Sequence, residues 1–514
     1  MSASTMELSE LRLNAKFVEQ LKVNLFLSNS LENFCAYLYN ILKLANNRKI
    51  FIFAQKTQSV YDIAIIGAGV TGCFIAKELS KYNLNVIVFE RKFGPGLDQT
   101  KGCSGIIHPF QLPFGTLRGK LCLEGNAMMD KESEELGFSF KRVGLILLAT
   151  NWFTYLLLPV IKFYLSRHVK VEKLSKEDIL SMEPNVTENI KGGLLFPTAG
   201  VVNPVEMTYA AYKFAKLNGV KFLFNCEVKN IQRKINFFLI ETSCGDFESR
   251  IVINCAGLYA DEIAAMVGCD LKIIPGKGAH IVFNEKGFAN HIITAIPFKP
   301  NRRTKGGGAL ISIDGKSIWG PNLKDVKEKD DTSVTREDIE GILEKFSKLF
   351  KRLPRDVVAY YSGVRSIAGR DFIINQPIRN FINVAGIQSP GLTAAPAIAK
   401  MVLKMLVGSG VRLKKKDKII RPSFKRFREM KEDEINKAIK ENPEFGKIIC
   451  LCNLVTEAEI LEAMADAPCI DTIKHVTRAG MSCQKCLADI IILMQRHTKK
   501  VVKDVEGSDV AWQQ

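Results

Sequence analysis

The stretch Tyr61–Arg91, YDIAIIGAGVTGCFIAKELSKYNLNVIVFER, decides the fold. An apolar run of strand type leads into Gly67, Gly69 and Gly72 at GxGxxG spacing. A segment of helical period comes next, then a second apolar run that stops at Glu90. Each part has a physical task. Gly67 permits the tight turn, Gly69 lets the backbone approach a pyrophosphate, and Gly72 lets helix and strand pack closely. The helix N-terminus turns free amides and partial positive charge toward the phosphates. Glu90 stands 18 residues past Gly72, where a carboxylate accepts hydrogen bonds from an adenosine ribose, and Arg91 beside it belongs to the same candidate site. This is a dinucleotide-binding unit that by itself does not separate nicotinamide from flavin.

Around this unit the chain is globular. Its 514 residues suggest about three domains, and 47% hydrophobic residues suffice for large cores. No run of about 18 apolar residues occurs, because WFTYLLLPVIKFYL at 152–165 is interrupted by Pro159 and Lys162, so no transmembrane segment is expected. Residues 1–60 carry Glu7, Glu10, Glu19 and Glu32 and lack a continuous apolar region with a cleavage site. They read as a non-catalytic extension of a cytoplasmic protein, with organelle or peripheral membrane association left open. The net charge of +18 would draw small anionic substrates, whereas no recognition motif points to nucleic acid. From Val411 to Ile448 there are 13 Lys or Arg against 7 Asp or Glu, the composition of a solvated basic linker.

Beyond Glu90 the chain lacks the regular alternation of strands and helices of a nicotinamide dehydrogenase. It reads RKFGPGLDQTKGCSGIIHPFQLPFG, and farther on come GGLLFPTAGVVNPVEM, VINCAGLYADEIA, SGVRSIAGRDFII and NVAGIQSPGLTAAPAIAKMV. At these residues the sequence resembles the flavin-dependent glycerol-3-phosphate dehydrogenases and L-2-hydroxyglutarate oxidases, relatives of D-amino-acid oxidase. The resemblance runs from about Tyr61 to Val407. It implies an α/β (α+β) fold class, with an FAD-binding Rossmann-like domain interleaved with an antiparallel substrate-cap sheet, formed mainly by 146–200 and 276–355. It also implies FAD as cofactor and oxidation of sn-glycerol 3-phosphate to dihydroxyacetone phosphate by hydride transfer to the flavin. An L-2-hydroxyglutarate dehydrogenase is the alternative, and an electron-transfer subunit a third reading.

The same resemblance distributes roles. Val228 would contact adenine through its backbone, and Ala256 and Gly257, being small, let the chain pass close to the cofactor. The amides of Gly391, Leu392 and Thr393 open a helix that would stabilise negative charge on the flavin ring. In CSGIIH, Ser104 and His108 match positions over the flavin, with His108 as base, since alcohol oxidation leaves a hydroxyl proton and imidazole titrates near working pH. Arg365, whose planar fork suits carboxylate or phosphate, and Lys305 would hold an anionic substrate, with Ser389 as a further polar contact. The sequence departs from the family at Pro109 and Phe110 after the histidine, and at ISIDGKSIWGP, where a threonine is missing. It departs again at WFTYLLLPVIKFYL, expected as a packed cap helix, with membrane or partner contact as the alternative.

Of thirteen cysteines, most stand alone in apolar settings, among them Cys73, Cys122, Cys226, Cys255 and Cys269. Cys450 and Cys452, then 30 residues, then Cys483 and Cys486 make a CxC and CxxC pattern. By spacing alone these thiolates suit a [2Fe-2S] cluster or tetrahedral zinc. The wording ICLCNLVTEAEI and TRAGMSCQKC resembles the bacterioferritin-associated ferredoxin domain, which implies a [2Fe-2S] cluster. The expected organisation is an extension at 1–60, an oxidoreductase domain at 61–410, a linker at 411–446 and a small helical iron-sulfur domain at 447–500. The electron acceptor would be a protein or a quinone.

Overall fold

In the computed structural model, which describes residues 60–296 and 307–497, the strand Tyr61–Ile66 is almost wholly buried, as a central parallel strand covered on both faces must be. Val86–Phe89 and then Lys221–Leu223 pair on one side of it, Gly245–Asn254 and then Phe381–Ala385 on the other, all parallel. The hairpin of Val228–Arg233 and Phe238–Thr242 joins the first half of Gly245–Asn254 in antiparallel register. Helix Val70–Leu79 packs against both Pro204–Leu217 and Gly391–Gly408, and Leu117–Leu136 packs on Gly391–Gly408.

Lys77 is fully buried between these helices, with its ammonium 2.8 Å from Glu132, 2.6 Å from Glu135 and 3.0 Å from Glu78. A buried cation is tolerated there because three carboxylates surround it. The helix Gly391–Gly408 is long and apolar enough to cross a membrane, but 61% of it is buried inside the protein. It is a core helix.

The second sheet of this unit has nine strands among the described residues and pairs antiparallel, except that Ile292–Ala295 runs parallel to Leu145–Ala149. Ile274–Lys286 pairs along its length with Val357–Ile367, which therefore belongs to the cap although it lies beyond the expected 276–355. One face of the sheet covers an apolar core of Phe283, Phe288, Trp319, Phe346 and Phe350. WFTYLLLPVIKFYL does form a helix, Trp152–Leu165, capped by Asn151. It is not the packed helix expected, since only Thr154, Leu158 and Leu165 are buried.

This unit spans Ser59–Lys425. The first half of the basic stretch lies along it, where Lys416 donates to the Asn218 carbonyl and the Ile420 amide donates to Asn218 Oδ1 at 2.9 Å. A second unit takes the described chain from Arg426 onward. Its hairpin Ile448–Cys450 and Val455–Thr456 leads into helix Glu457–Asp466, started by a Thr456–Glu459 capping box. Helix Ile470–Thr477 and a helical segment over 487–497 complete it around Val455, Ile460, Met464, Ile473, Ile490 and Met494.

Candidate functional site

A cavity of about 220 Å³ opens at the C-terminal ends of the parallel strands, far more than a single water needs. Gly67, Gly69, Glu90, Arg91, Val228, Ala256, Gly257, Gly391 and Leu392 all line it, as do Ser104, His108, Arg365 and Ser389. The three glycines differ in why they are small. A Cβ on Gly67 would lie 2.5 Å from the Cys255 carbonyl, and one on Gly72 would lie 2.0 Å from the Gly67 carbonyl, so neither position admits a side chain. A Cβ on Gly69 would meet nothing closer than Thr100 Oγ1 at 3.5 Å, so protein packing leaves that position open for a ligand. Gly72 is absent from the cavity wall and acts only in packing.

Glu90 accepts from the amides of Ala68 and Lys92, both at 2.8 Å, which fixes its carboxyl on the cavity wall. Burial raises its pKa, partly offset by those amides. Each carboxylate oxygen keeps a further acceptor site, so two ribose hydroxyls remain within its capacity. Arg91 pairs with Asp98 and stacks over the Tyr259 ring at 3.7 Å, building the cavity edge with a cation that is already partnered. These residues fit the pyrophosphate and ribose of FAD.

At the other end stands His108. Its ring Nε2 is 3.0 Å from Ser389 Oγ. Its backbone is clamped on both sides: the amide donates to Thr393 Oγ1 at 2.9 Å, and the carbonyl accepts from Asn126 Nδ2 at 2.9 Å. Asn126 also donates to the Thr198 carbonyl and accepts from Arg142. Thr393, expected at the cofactor through its amide, does not line the cavity; its side chain serves His108 instead. Phe110, one of the two departures from the family after the histidine, packs against Phe196 with ring centres 5.0 Å apart and is not on the cavity wall.

Arg365 arrives on the strand Val357–Ile367, which the Cys103 loop meets where a Cβ on Gly102 would lie 2.4 Å from Gly363 Cα. It has no hydrogen bond or ion pair among the described residues, and burial pulls its pKa down. A cation so placed has an unmet requirement for an anion. His280 belongs to none of the sequence motifs. It is 2% exposed, stacks on Tyr361 at 4.7 Å, and has no partner for either ring nitrogen. Burial first, then Arg365, lowers its pKa to about 3, so it is neutral. Gly276 pairs with Arg365 and His280 with Tyr361, so these residues share one face of the cap sheet. Only cross-strand register reveals that. Lys305 lies outside the described residues.

In the second unit the four thiols come as two pairs. Cys452 Sγ is 3.2 Å from Cys483 Sγ, and Cys450 is hydrogen-bonded to Cys486. No three Cys, His, Asp or Glu side chains among the described residues, these four thiols included, are gathered closely enough to hold a metal ion. Four thiols in two pairs nevertheless match the four that the two irons of a [2Fe-2S] cluster require. Leu454, Arg478 and Gln484 have φ of 47°, 72° and 63°, a left-handed backbone that side chains rarely adopt, and all three flank the cysteine loops. Asn453 Nδ2 ties the loops by donating to the Arg478 carbonyl at 2.7 Å. The backbone N–H of Lys485 lowers the Cys483 pKa most, favouring the thiolate that iron binds.

Comparison with known proteins agrees with both halves. The FAD dependent oxidoreductase family matches residues 62–405, and the BFD-like [2Fe-2S] binding domain matches residues 448–496. Glycerol 3-phosphate dehydrogenase of Caloramator mitchellensis is 38% identical over 87% of this chain and 98% of that protein. L-2-hydroxyglutarate dehydrogenase of Escherichia coli O17:K52:H18 is 29% identical over 51% of this chain and 64% of that protein. The structure of dithionite-reduced L-alpha-glycerophosphate oxidase from Mycoplasma pneumoniae with FAD bound superposes with a TM-score of 0.66 at 26% identity, covering 70% of this chain and 97% of that one. The chain belongs to the FAD-dependent oxidoreductase family, carries a BFD-like domain behind it, and takes FAD and a [2Fe-2S] cluster as cofactors.

Proposed function

We propose that the protein is a dehydrogenase that oxidises sn-glycerol 3-phosphate to dihydroxyacetone phosphate. The observation that carries this reading is the pairing, on one cavity wall, of an unpartnered Arg365 with the His108–Ser389 hydrogen bond. Bound FAD supplies the hydride acceptor, and the cluster a one-electron carrier. Arg365 binds the anionic end of the substrate through its planar fork, and Lys305 is its proposed helper. His108 takes the hydroxyl proton by way of Ser389 Oγ, which passes its own proton to Nε2 as it receives the substrate's. Ser389 holds that nitrogen in place, while Thr393 and Asn126 fix the backbone on either side. Gly391 and Leu392 line the cavity at the start of their helix, where the Gly391 amide donates to the Gln388 carbonyl at 2.6 Å and the helix N-terminus stabilises negative charge.

Glycerol 3-phosphate is favoured over L-2-hydroxyglutarate because the Caloramator dehydrogenase is similar along nearly its whole length, whereas the hydroxyglutarate relative matches half of this chain. Electrons would leave to a protein or a quinone. The proposed organisation has the oxidoreductase domain at 61–410, the basic linker at 411–446 and the cluster domain at 447–500, in a cytoplasmic enzyme. Anaerobic mixing of the FAD-loaded protein with either substrate tests the reading: glycerol 3-phosphate should bleach the flavin. Bleaching by L-2-hydroxyglutarate alone would select the alternative, and bleaching by neither would leave the electron-transfer subunit.

A further inference from the structure

The helix Trp152–Leu165 turns most of its apolar surface outward. Trp152, Phe153, Leu156, Val160 and Phe163 are 64, 62, 71, 66 and 65% exposed, and Tyr164 is 47% exposed. Residues spaced so share one broad helix face. Single exposed apolar residues need no explanation, but this many on one 14-residue helix do. The helix is a fixed part of its domain, since Asn151 and Thr154 form a capping box and Leu158 and Leu165 pack into the core beneath. The apolar face therefore belongs to the folded molecule.

Its rim is cationic. Lys191 lies over the Trp152 ring at 5.3 Å, Lys173 over Tyr155 at 4.9 Å and Arg167 over Phe163 at 4.5 Å. Glu172, next to Lys173 in sequence, is paired with Lys170 at 3.3 Å. Trp, Tyr and Phe with a Lys and Arg border are the composition of helices that lie in the plane of a membrane interface, aromatic rings at headgroup level and cations on lipid phosphates.

We propose that Trp152–Leu165 is a membrane-surface anchor that seats the flavin domain on an anionic phospholipid bilayer. The apolar face enters the boundary of headgroups and acyl chains, and Arg167, Lys173 and Lys191 contact the phosphates. A short helix lying flat is consistent with a chain in which, among the described residues, the one helix both long and apolar enough to span is a buried core helix. The inference rests on exposure and charge and is independent of which alcohol the enzyme oxidises.

The test uses the full-length FAD-loaded protein with vesicles of phosphatidylcholine mixed with phosphatidylglycerol, and with phosphatidylcholine alone. The protein should sediment with the anionic vesicles and be released by salt. Affinity should fall about tenfold or more in the Leu156→Ser, Phe163→Ser double variant, and similarly in Lys173→Glu, Lys191→Glu. Leu156, Phe163 and Lys173 are exposed and Lys191 is half-buried, so flavin absorbance and melting temperature should match the parent and report folding separately. Brominated lipid should quench Trp152, with the quenching absent in Trp152→Phe. Absence of vesicle binding at low salt would overturn the proposal, as would binding that neither double variant changes. Lipid-free self-association abolished by Leu156→Ser, Phe163→Ser would also overturn it, assigning the face to a second copy. Vesicle binding that appears only after deletion of residues 1–58 would overturn it in favour of that segment as the cover.

Discussion

Ser389 Oγ lies 3.0 Å from His108 Nε2 across 281 residues of sequence. The contact exists because the helix opening at Gly391 is drawn against Leu117–Leu136, whose Gly125 has no room for a side chain: a Cβ there would lie 2.0 Å from the Thr393 carbonyl. Thr393 in turn accepts from the His108 amide. One close helix crossing therefore sets the position of the proposed base.

Replacing His108 with Asn should slow flavin reduction by about 10²–10⁴-fold, the usual range for removing a general base. Ser389→Ala, which frees the ring without removing it, should cost about tenfold under the same principle. Anaerobic stopped-flow with saturating substrate measures both, and FAD content should be that of the parent. Unchanged reduction in His108→Asn would assign the base elsewhere.

Gly125→Ala should slow reduction although residue 125 is not on the cavity wall. The added methyl must displace Thr393, whose hydroxyl holds His108. A fall in melting temperature accompanied by a fall in turnover is expected. Normal turnover would show that His108 does not depend on this crossing.

Arg365→Met should raise KM by about 10- to 100-fold with a smaller change in kcat, since a hydrogen bond to a charged group contributes about 1.5–3 kcal/mol and each 1.4 kcal/mol is tenfold. Steady-state kinetics across ionic strength would check this. A KM equal to the parent's would remove Arg365 from the anion site.

Lys77→Ala leaves its carboxylates buried without their cation and should destabilise the first unit by about 3–5 kcal/mol, read by denaturant unfolding. The sign of the pH dependence is set by the same cluster. Burial works against ionisation, yet Lys77 and Lys81 together hold Glu78 and Glu135 below the ordinary glutamate range. Their stabilisation is complete above the unfolded pKa of about 4.3 and is lost as pH falls through the lower folded values. The parent should weaken over that acid interval, and Lys77→Ala should do so less.

Cys450→Ser should abolish iron and acid-labile sulfide while FAD content stays normal. Parent protein holding zinc in place of iron would refute the cluster assignment.

The sequence by itself determined the elements whose chemistry is local. Tyr61–Glu90 declares strand, glycine turn, helix and acid within one short span, and CxC with CxxC declares a thiolate site. In both, the residues that act together are close along the chain or bear a spacing that backbone geometry enforces. Only the tertiary structure decided what depends on distant segments meeting. It brought Ser389, Thr393 and Asn126 around His108, left Arg365 without a carboxylate, and set His280 behind Tyr361. It also turned the apolar face of Trp152–Leu165 outward. Periodicity recorded that this helix is apolar nearly all round, but which side finds a core depends on what the rest of the chain places beside it.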